Sequence, residues 1–186
     1  MSQSDEAAGT VVLDFLARGR SDDDRPRHQR TPVAYAVNGS DFALYELELA
    51  DDADIAIGDR ININDAAGVE RVRTVEYEDL SGGAQSELEY VIEDMVEEEE
   101  ERFVDVYNDA GPITLRLHQL NLLPGIGKKL RNNILDTRKR EPFESYEDLS
   151  ERVSGLHDPE EILAERILEE IREDDLKYRI FVGGEE

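Results

Sequence analysis

Between residues 10 and 77 the apolar positions come in short runs of Val, Ile, Leu, Tyr and Phe, each closed by Gly, Asp or Asn. The runs at 10–17, 32–37, 42–49, 60–63 and 69–77 predict five β-strands. So many short strands in so little chain predict a small barrel of the OB type, since partial closure of a sheet buries one face of each strand. Asn38-Gly39, between the second and third runs, predicts a tight hairpin with positive φ at both residues. From 82 to 108 the period changes. Leu88, Val91, Ile92, Met95, Val96, Phe103 and Val104 recur at spacings suited to one long amphipathic helix.

From Pro112 onward the pattern reads as helical but punctuated. Leu115, Leu117, Leu120 and Leu122 lead into Leu123-Pro124-Gly125-Ile126-Gly127, and Leu130, Ile134 and Leu135 resume helical spacing until Glu141-Pro142 ends it. A second cycle carries Phe143, Tyr146, Leu149 and Val153, then a turn at Gly155-Leu156-His157. Its last helix starts at Asp158, an N-cap residue, with Pro159 at the first helical position, and bears Ile162, Leu163, Ile167, Leu168 and Ile171. The expected fold class is α+β. A flexible N-terminus (1–9) precedes an OB-like β-barrel (10–80), a linking amphipathic helix (81–110) and a helical domain with helix-hairpin-helix motifs (111–182).

Charge changes the picture. The 46 acidic and 21 basic residues give a formal net charge of −25, and the acids are spread over the chain rather than gathered in a tail. Seventeen of the basic residues are Arg, and the lysines are Lys128, Lys129, Lys139 and Lys177. Spread carboxylates with scarce lysine resemble the proteins of extreme halophiles, where a hydrated acidic surface persists although molar salt screens charge to about 3 Å. The run Glu97 to Glu101 reads as part of that hydrated surface. Against this background, residues 111–140 hold Arg116, Lys128, Lys129, Arg131, Arg138, Lys139 and Arg140 with Asp136 as their one acid, a net of +6 that leaves −31 elsewhere. Salt adaptation alone does not empty one segment of carboxylates.

The glycine turn sits inside that segment. Pro124 stops a helix, and Gly125 and Gly127 permit a tight reversal without a Cβ between the amides and an approaching anion. Ile126 points back to the core. The next helix then offers free N–H groups and the positive end of its dipole to a phosphate, with Lys128 and Lys129 adding charge. The candidate nucleic-acid-binding residues are thus Gly125, Ile126, Gly127, Lys128, Lys129, Arg131, Arg116, Arg138, Lys139 and Arg140. His118 joins them as a titratable donor, although packing is the commoner use of such an imidazole. The loop at 18–30, with Arg18, Arg20, Arg25, Arg27 and Arg30 against three aspartates, has no hydrophobic anchor, is expected to be mobile and supplies possible further contacts.

Other chemistries find little support. There is no cysteine, which excludes disulfides, thiolate catalysis and Cys-based zinc sites. No nucleophile–base arrangement, nucleotide-binding glycine loop or His cluster stands out, so no enzymatic activity and no metal site are expected, apart from a K⁺ that would bridge hairpin carbonyls to phosphate. No stretch reaches the length of a membrane span and the first nine residues are polar, which predicts a cytoplasmic protein without membrane partners.

Val12-Leu13-Asp14-Phe15-Leu16, Phe42 to Leu47, Tyr77 to Leu80, Arg102-Phe103-Val104, Leu117 to Leu120, Leu122 to Lys129, Phe143 to Leu149 and Lys177 to Val182 together resemble the archaeal family catalogued as domain of unknown function 655. The resemblance runs from Thr10 to Val182. It implies an OB-like domain joined to a helical domain of helix-hairpin-helix character, and a nucleic-acid-binding role, RNA more than DNA, near translation and rRNA maturation. Ribosomal or rRNA-processing proteins are the partners it suggests. A protein-interaction module docking a ribosomal or replication partner is the alternative that the residues leave open.

Overall fold

A computed structural model describes residues 9–183, so the expectation of a flexible N-terminus lies, Gly9 aside, outside the described residues. The fold is α+β and divides into two compact units. One runs up to Val91 and takes in the chain from Phe181 onward; the other is Ile92–Ile180.

The first unit is a curled antiparallel sheet of five strands, β1 (Thr10–Leu16), β2 (Val33–Asn38), β3 (Leu44–Leu49), β4 (Arg60–Ile61) and β5 (Val69–Val75), in the order β4-β1-β2-β3-β5. Alternation puts Val12, Ala34, Ala36, Leu47 and Leu49 on one face, where they pack with Ile55 as a buried cluster. A register shift between Val12 and Asp14 inserts a bulge that bends β1. The sheet is a half-barrel, not a closed one. β4 is only two residues long because Asn62 turns the chain at once, its Oδ1 accepting from Asn64 N at 3.0 Å, and among the described residues no pairing joins β4 to β5.

The turn at Asn38 departs from the expected two-residue hairpin. Neither Asn38 nor Gly39 takes positive φ; Phe42 does, at 59°. Asn38 Oδ1 accepts from Ser40 N (2.7 Å) and Asp41 N (3.3 Å), widening the loop until Phe42 N returns to Asn38 O at 3.0 Å. The left-handed backbone at Phe42 is costly for a bulky residue, but its ring is buried and meets Phe181 edge-on with centroids 6.5 Å apart.

The expected single helix is two, α1 (Gly82–Glu98) and α2 (Glu100–Asp109), parted at Glu99 with ψ of 47°. The break falls in the middle of five consecutive glutamates, where like charges on successive turns oppose a continuous helix. Three more helices follow, α3 (Lys128–Arg140), α4 (Tyr146–Arg152) and α5 (Pro159–Arg172). Side chains of the second unit that close onto its backbone lock these pieces. Tyr107 OH donates to Pro159 O at 2.8 Å, and Asn108 pairs with both backbone groups of Phe143 (2.7 and 2.9 Å). Burial raises the Tyr107 hydroxyl's pKa well above the usual phenol value. In α5 the buried Arg166 and Glu170 bond at 2.9 Å, and Glu170 also receives Ile180 N. Asp158 stands at the N-cap of α5 as expected, but in a left-handed conformation without a side-chain cap bond.

Candidate functional site

The turn at 123–127 is reached without the helix expected before it. After Ala110 the chain forms a small loop in which Pro112 bridges His118, and only a single 3₁₀ turn, Gln119–Leu122, precedes Leu123. The leucines at 115, 117, 120 and 122 alternate by two and three, which fits no helical face, and Leu115 stands fully exposed. The first helix of the expected helix-hairpin-helix is therefore absent, and the turn at 123–127 is followed by α3 alone.

That half has an open geometry. Leu123 and Ile126 are buried, and Ile126 N donates to Leu123 O at 3.2 Å, closing the turn. Gly125 has φ of +80°, a conformation that glycine adopts without strain. Gly127, the N-cap of α3, has φ of −89°, which any residue tolerates, and a Cβ there would meet nothing within 4 Å. Neither packing nor backbone requires a glycine at 127. Gly125, Gly127, Lys128 and Lys129 are all exposed, and among the described residues the amides of Gly125, Gly127, Lys128, Lys129 and Leu130 donate to no protein acceptor.

Asn121 organises the surroundings. Its Oδ1 accepts from His118 N (3.2 Å) and from Arg131 Nη1 (3.0 Å), while its Nδ2 donates to Ile126 O at 3.3 Å. Arg131 is thus half-buried and aimed along the turn, with Asn132 Oδ1 near its Nε at 3.3 Å. Sequence reasoning missed Asn121, whose only signal was its position before a proline-glycine turn. A groove of about 820 Å³ lies against residues 121–127, and its far wall is α5, with Glu165, Glu169 and Glu173 at successive turns and Arg166 and Arg172 among them. These carboxylates were not anticipated. They give that wall negative charge, which Arg166 and Arg172 offset in part.

Other expected contacts are otherwise engaged. Arg138 is half-buried, and its Nη1 donates to Tyr107 O (3.1 Å) and Ala110 O (2.8 Å), closing the C-terminal end of α2. Burial lowers its pKa. His118 is 8% exposed, and its Nδ1 accepts from Leu120 N at 3.1 Å. Burial first, then Arg138 and Arg131 nearby, lower its pKa from 6.5, and its Nδ1 is taken up by the backbone of the 3₁₀ turn. Arg116, Lys139 and Arg140 remain exposed, the last two about 17 to 18 Å along α3 from Lys128. In the first unit, the loop at 18–30 is stitched more closely than its composition suggests. Arg25 pairs with Asp23 at 2.7 Å, lowering that carboxyl's pKa to about 2; Arg20 reaches the buried Glu46 at 3.6 Å; and Arg30 Nε donates to Arg25 O. Among the loop arginines, Arg18 and Arg27 keep exposed guanidinium groups without a carboxylate partner among the described residues. Around the hairpin, the carbonyls of Leu123, Ile126 and Gly127 already accept bonds, so those of Pro124 and Gly125 are left for the expected K⁺.

Residues 6–183 match the family described as protein of unknown function (DUF655). The chain belongs to this family. An uncharacterized DUF655 relative, from Methanocaldococcus jannaschii, is 37% identical over 175 residues, which span 92% of this chain and 77% of the relative. The crystal structure of an Archaeoglobus fulgidus protein with the same family designation superposes with a TM-score of 0.83 at 40% identity, covering 94% of this chain and 98% of that one. Among the described residues no helix is long and apolar enough to cross a membrane.

Proposed function

We propose that this DUF655 chain is a non-catalytic nucleic-acid-binding protein that grips a sugar-phosphate backbone through residues 124–129, as the second half of a helix-hairpin-helix. The carrying observation is Gly127: exposed, unstrained and facing open space, it stands among five amides that donate to no protein acceptor among the described residues and beside two lysines. An open row of donors at a helix N-terminus, flanked by ammonium groups, suits a phosphodiester. Arg131, oriented by Asn121, supplies a planar donor alongside. Contacts of this kind fix position without reading base sequence, so shape and strandedness select the target. RNA is favoured over DNA by the family resemblance, and the open five-stranded sheet, read as an OB-like barrel, is a second surface for it. Spread acidity is read as adaptation to a salty cytoplasm, where counterion release fades and directed hydrogen bonds carry the binding. The contact stands on amides, ammonium groups and guanidinium, with no step through K⁺.

The acidic wall of Glu165, Glu169 and Glu173 favours a second reading, in which the groove docks a basic segment of a ribosomal or replication partner. Lys128→Glu with Lys129→Glu separates the two. Retention on immobilised RNA collapses under the first reading, and the salt slope of log Kd shrinks by about 2. Unchanged retention overturns it.

A further inference from the structure

The loop before the hairpin holds its backbone firmly while presenting one bare apolar side chain. Ile113 N and Thr114 N both donate to Leu117 O (2.8 and 3.0 Å), and Thr114 Oγ1 accepts from Arg116 N (3.2 Å) and Leu117 N (3.0 Å). At its base, Gly111 and Gln119 exchange two bonds: Gln119 N donates to Gly111 O at 2.9 Å, and Gly111 N to Gln119 Oε1 at 2.8 Å. Leu115 sits at the tip of this closed loop with a relative exposure of 106%, against 39–64% for Ile57, Val72 and Tyr90, the other exposed large apolar residues described. A leucine fully exposed on a hydrogen-bonded tip gives the folded chain nothing by its own burial.

Its surroundings say what would cover it. Arg116 is exposed next to it, and no acid occurs between Gly111 and Leu135. The base of the loop is wired to the glycine turn through one side chain, because Asn121 bonds His118 N on the loop side and both Ile126 O and Arg131 on the turn side. A polymer held at the turn therefore meets the loop tip at a set offset. An exposed arginine in a stretch of chain without acids suits nucleic acid rather than a basic protein, and a lone aliphatic side chain offered to nucleic acid acts as a wedge between stacked bases.

We propose that Leu115 inserts at a break in base stacking, with Arg116 on a flanking phosphate, so that the target class is a duplex carrying an unpaired or bulged nucleotide rather than a continuous helix. This rests on backbone binding at residues 124–129. Insertion costs least where the stack is already interrupted, and that difference is the source of selectivity.

The test uses the full chain and two RNA duplexes of one sequence, one fully paired and one with a single-nucleotide bulge, each with 2-aminopurine beside the bulge position. Wild type is expected to bind the bulged duplex about tenfold more tightly and to raise its 2-aminopurine fluorescence as the stack opens. Leu115→Ala is expected to lose the preference and the fluorescence rise yet keep its affinity for the paired duplex, while Leu115→Met retains both signals. The side chain touches no core, so folding is not at stake. Wild-type binding to both duplexes without preference or fluorescence change, or an equal loss on both with Leu115→Ala, overturns the wedge and leaves backbone binding standing. Binding to neither duplex overturns both.

Discussion

Replacing Gly127 with Ala separates structure from recognition more cleanly than any charge change. The backbone at 127, φ −89° and ψ −169°, is open to alanine, and the new methyl would meet no atom within 4 Å. Two small effects on folding oppose one another. Alanine is a poorer N-cap than glycine by a few tenths to about 1 kcal/mol, and it restricts the unfolded chain by about 0.4–1 kcal/mol. Stability should stay within about 0.5 kcal/mol of wild type. Binding should not. The methyl would stand beside the free amides of Gly127 and Lys128 and hold a phosphate away from one of them, and a hydrogen bond to a charged group is worth about 1.5–3 kcal/mol. Losing one such bond, with water filling in, weakens Kd by about 10- to 100-fold. Fluorescence anisotropy with labelled RNA at fixed KCl, beside urea denaturation, reads both quantities. Binding within twofold of wild type at unchanged stability would refute contact at these amides, and a stability loss well beyond 1 kcal/mol would refute the reading of the turn as open. Gly125→Ala is the contrast, since φ of +80° makes it destabilising by about 1 kcal/mol or more whatever it does to binding.

Arg138→Gln removes the donor that closes α2 and should cost about 1–3 kcal/mol in urea denaturation, whereas Lys139→Gln on the exposed surface should leave stability unchanged within about 0.5 kcal/mol. Glu170→Ala leaves Arg166 buried without its main carboxylate partner and should destabilise by about 3 kcal/mol, read the same way. His118 has a lowered folded-state pKa, so the unfolded chain takes up its proton first as pH falls. Its contribution is intact above the unfolded value of about 6.5 and declines below it, and the fall in Tm from pH 7.5 to about 5.5 should be smaller in His118→Gln than in wild type. An equal fall in both proteins would show that the ring protonates freely in the fold.

The strands were legible because each is a short run rich in Val, Ile, Leu, Tyr or Phe closed by a turn residue, and β1, β2 and β3 fall within two residues of the pattern at both ends. Length misled where side chains stood in for backbone. Asn38 Oδ1 takes two amides that a tight hairpin would have turned otherwise, and Thr114 Oγ1 organises a loop where leucines suggested a helix. Within the site, the glycines and lysines were readable from local chemistry because their roles depend on neighbours in the chain. Arg138 and His118 were not, since their partners are set by how α2, the 3₁₀ turn and α3 pack, and a basic residue in a basic segment looks the same whether it faces solvent or closes a helix. Asn121 escaped notice for the same reason.

The half-barrel has a consequence for colloidal behaviour. β5 is a terminal strand, and Glu70, Arg71, Val72, Arg73 and Thr74 are exposed along it, so among the described residues its outer rim has no strand partner and is open to other copies of the molecule. Charged side chains on such a rim normally discourage strand-to-strand association. In molar salt their repulsion reaches only about 3 Å, which leaves bound water around Glu70, Arg71 and Arg73 as the remaining barrier to fibrous stacking. Aliphatic replacements on that rim should therefore precipitate the protein sooner in concentrated brine than in dilute buffer.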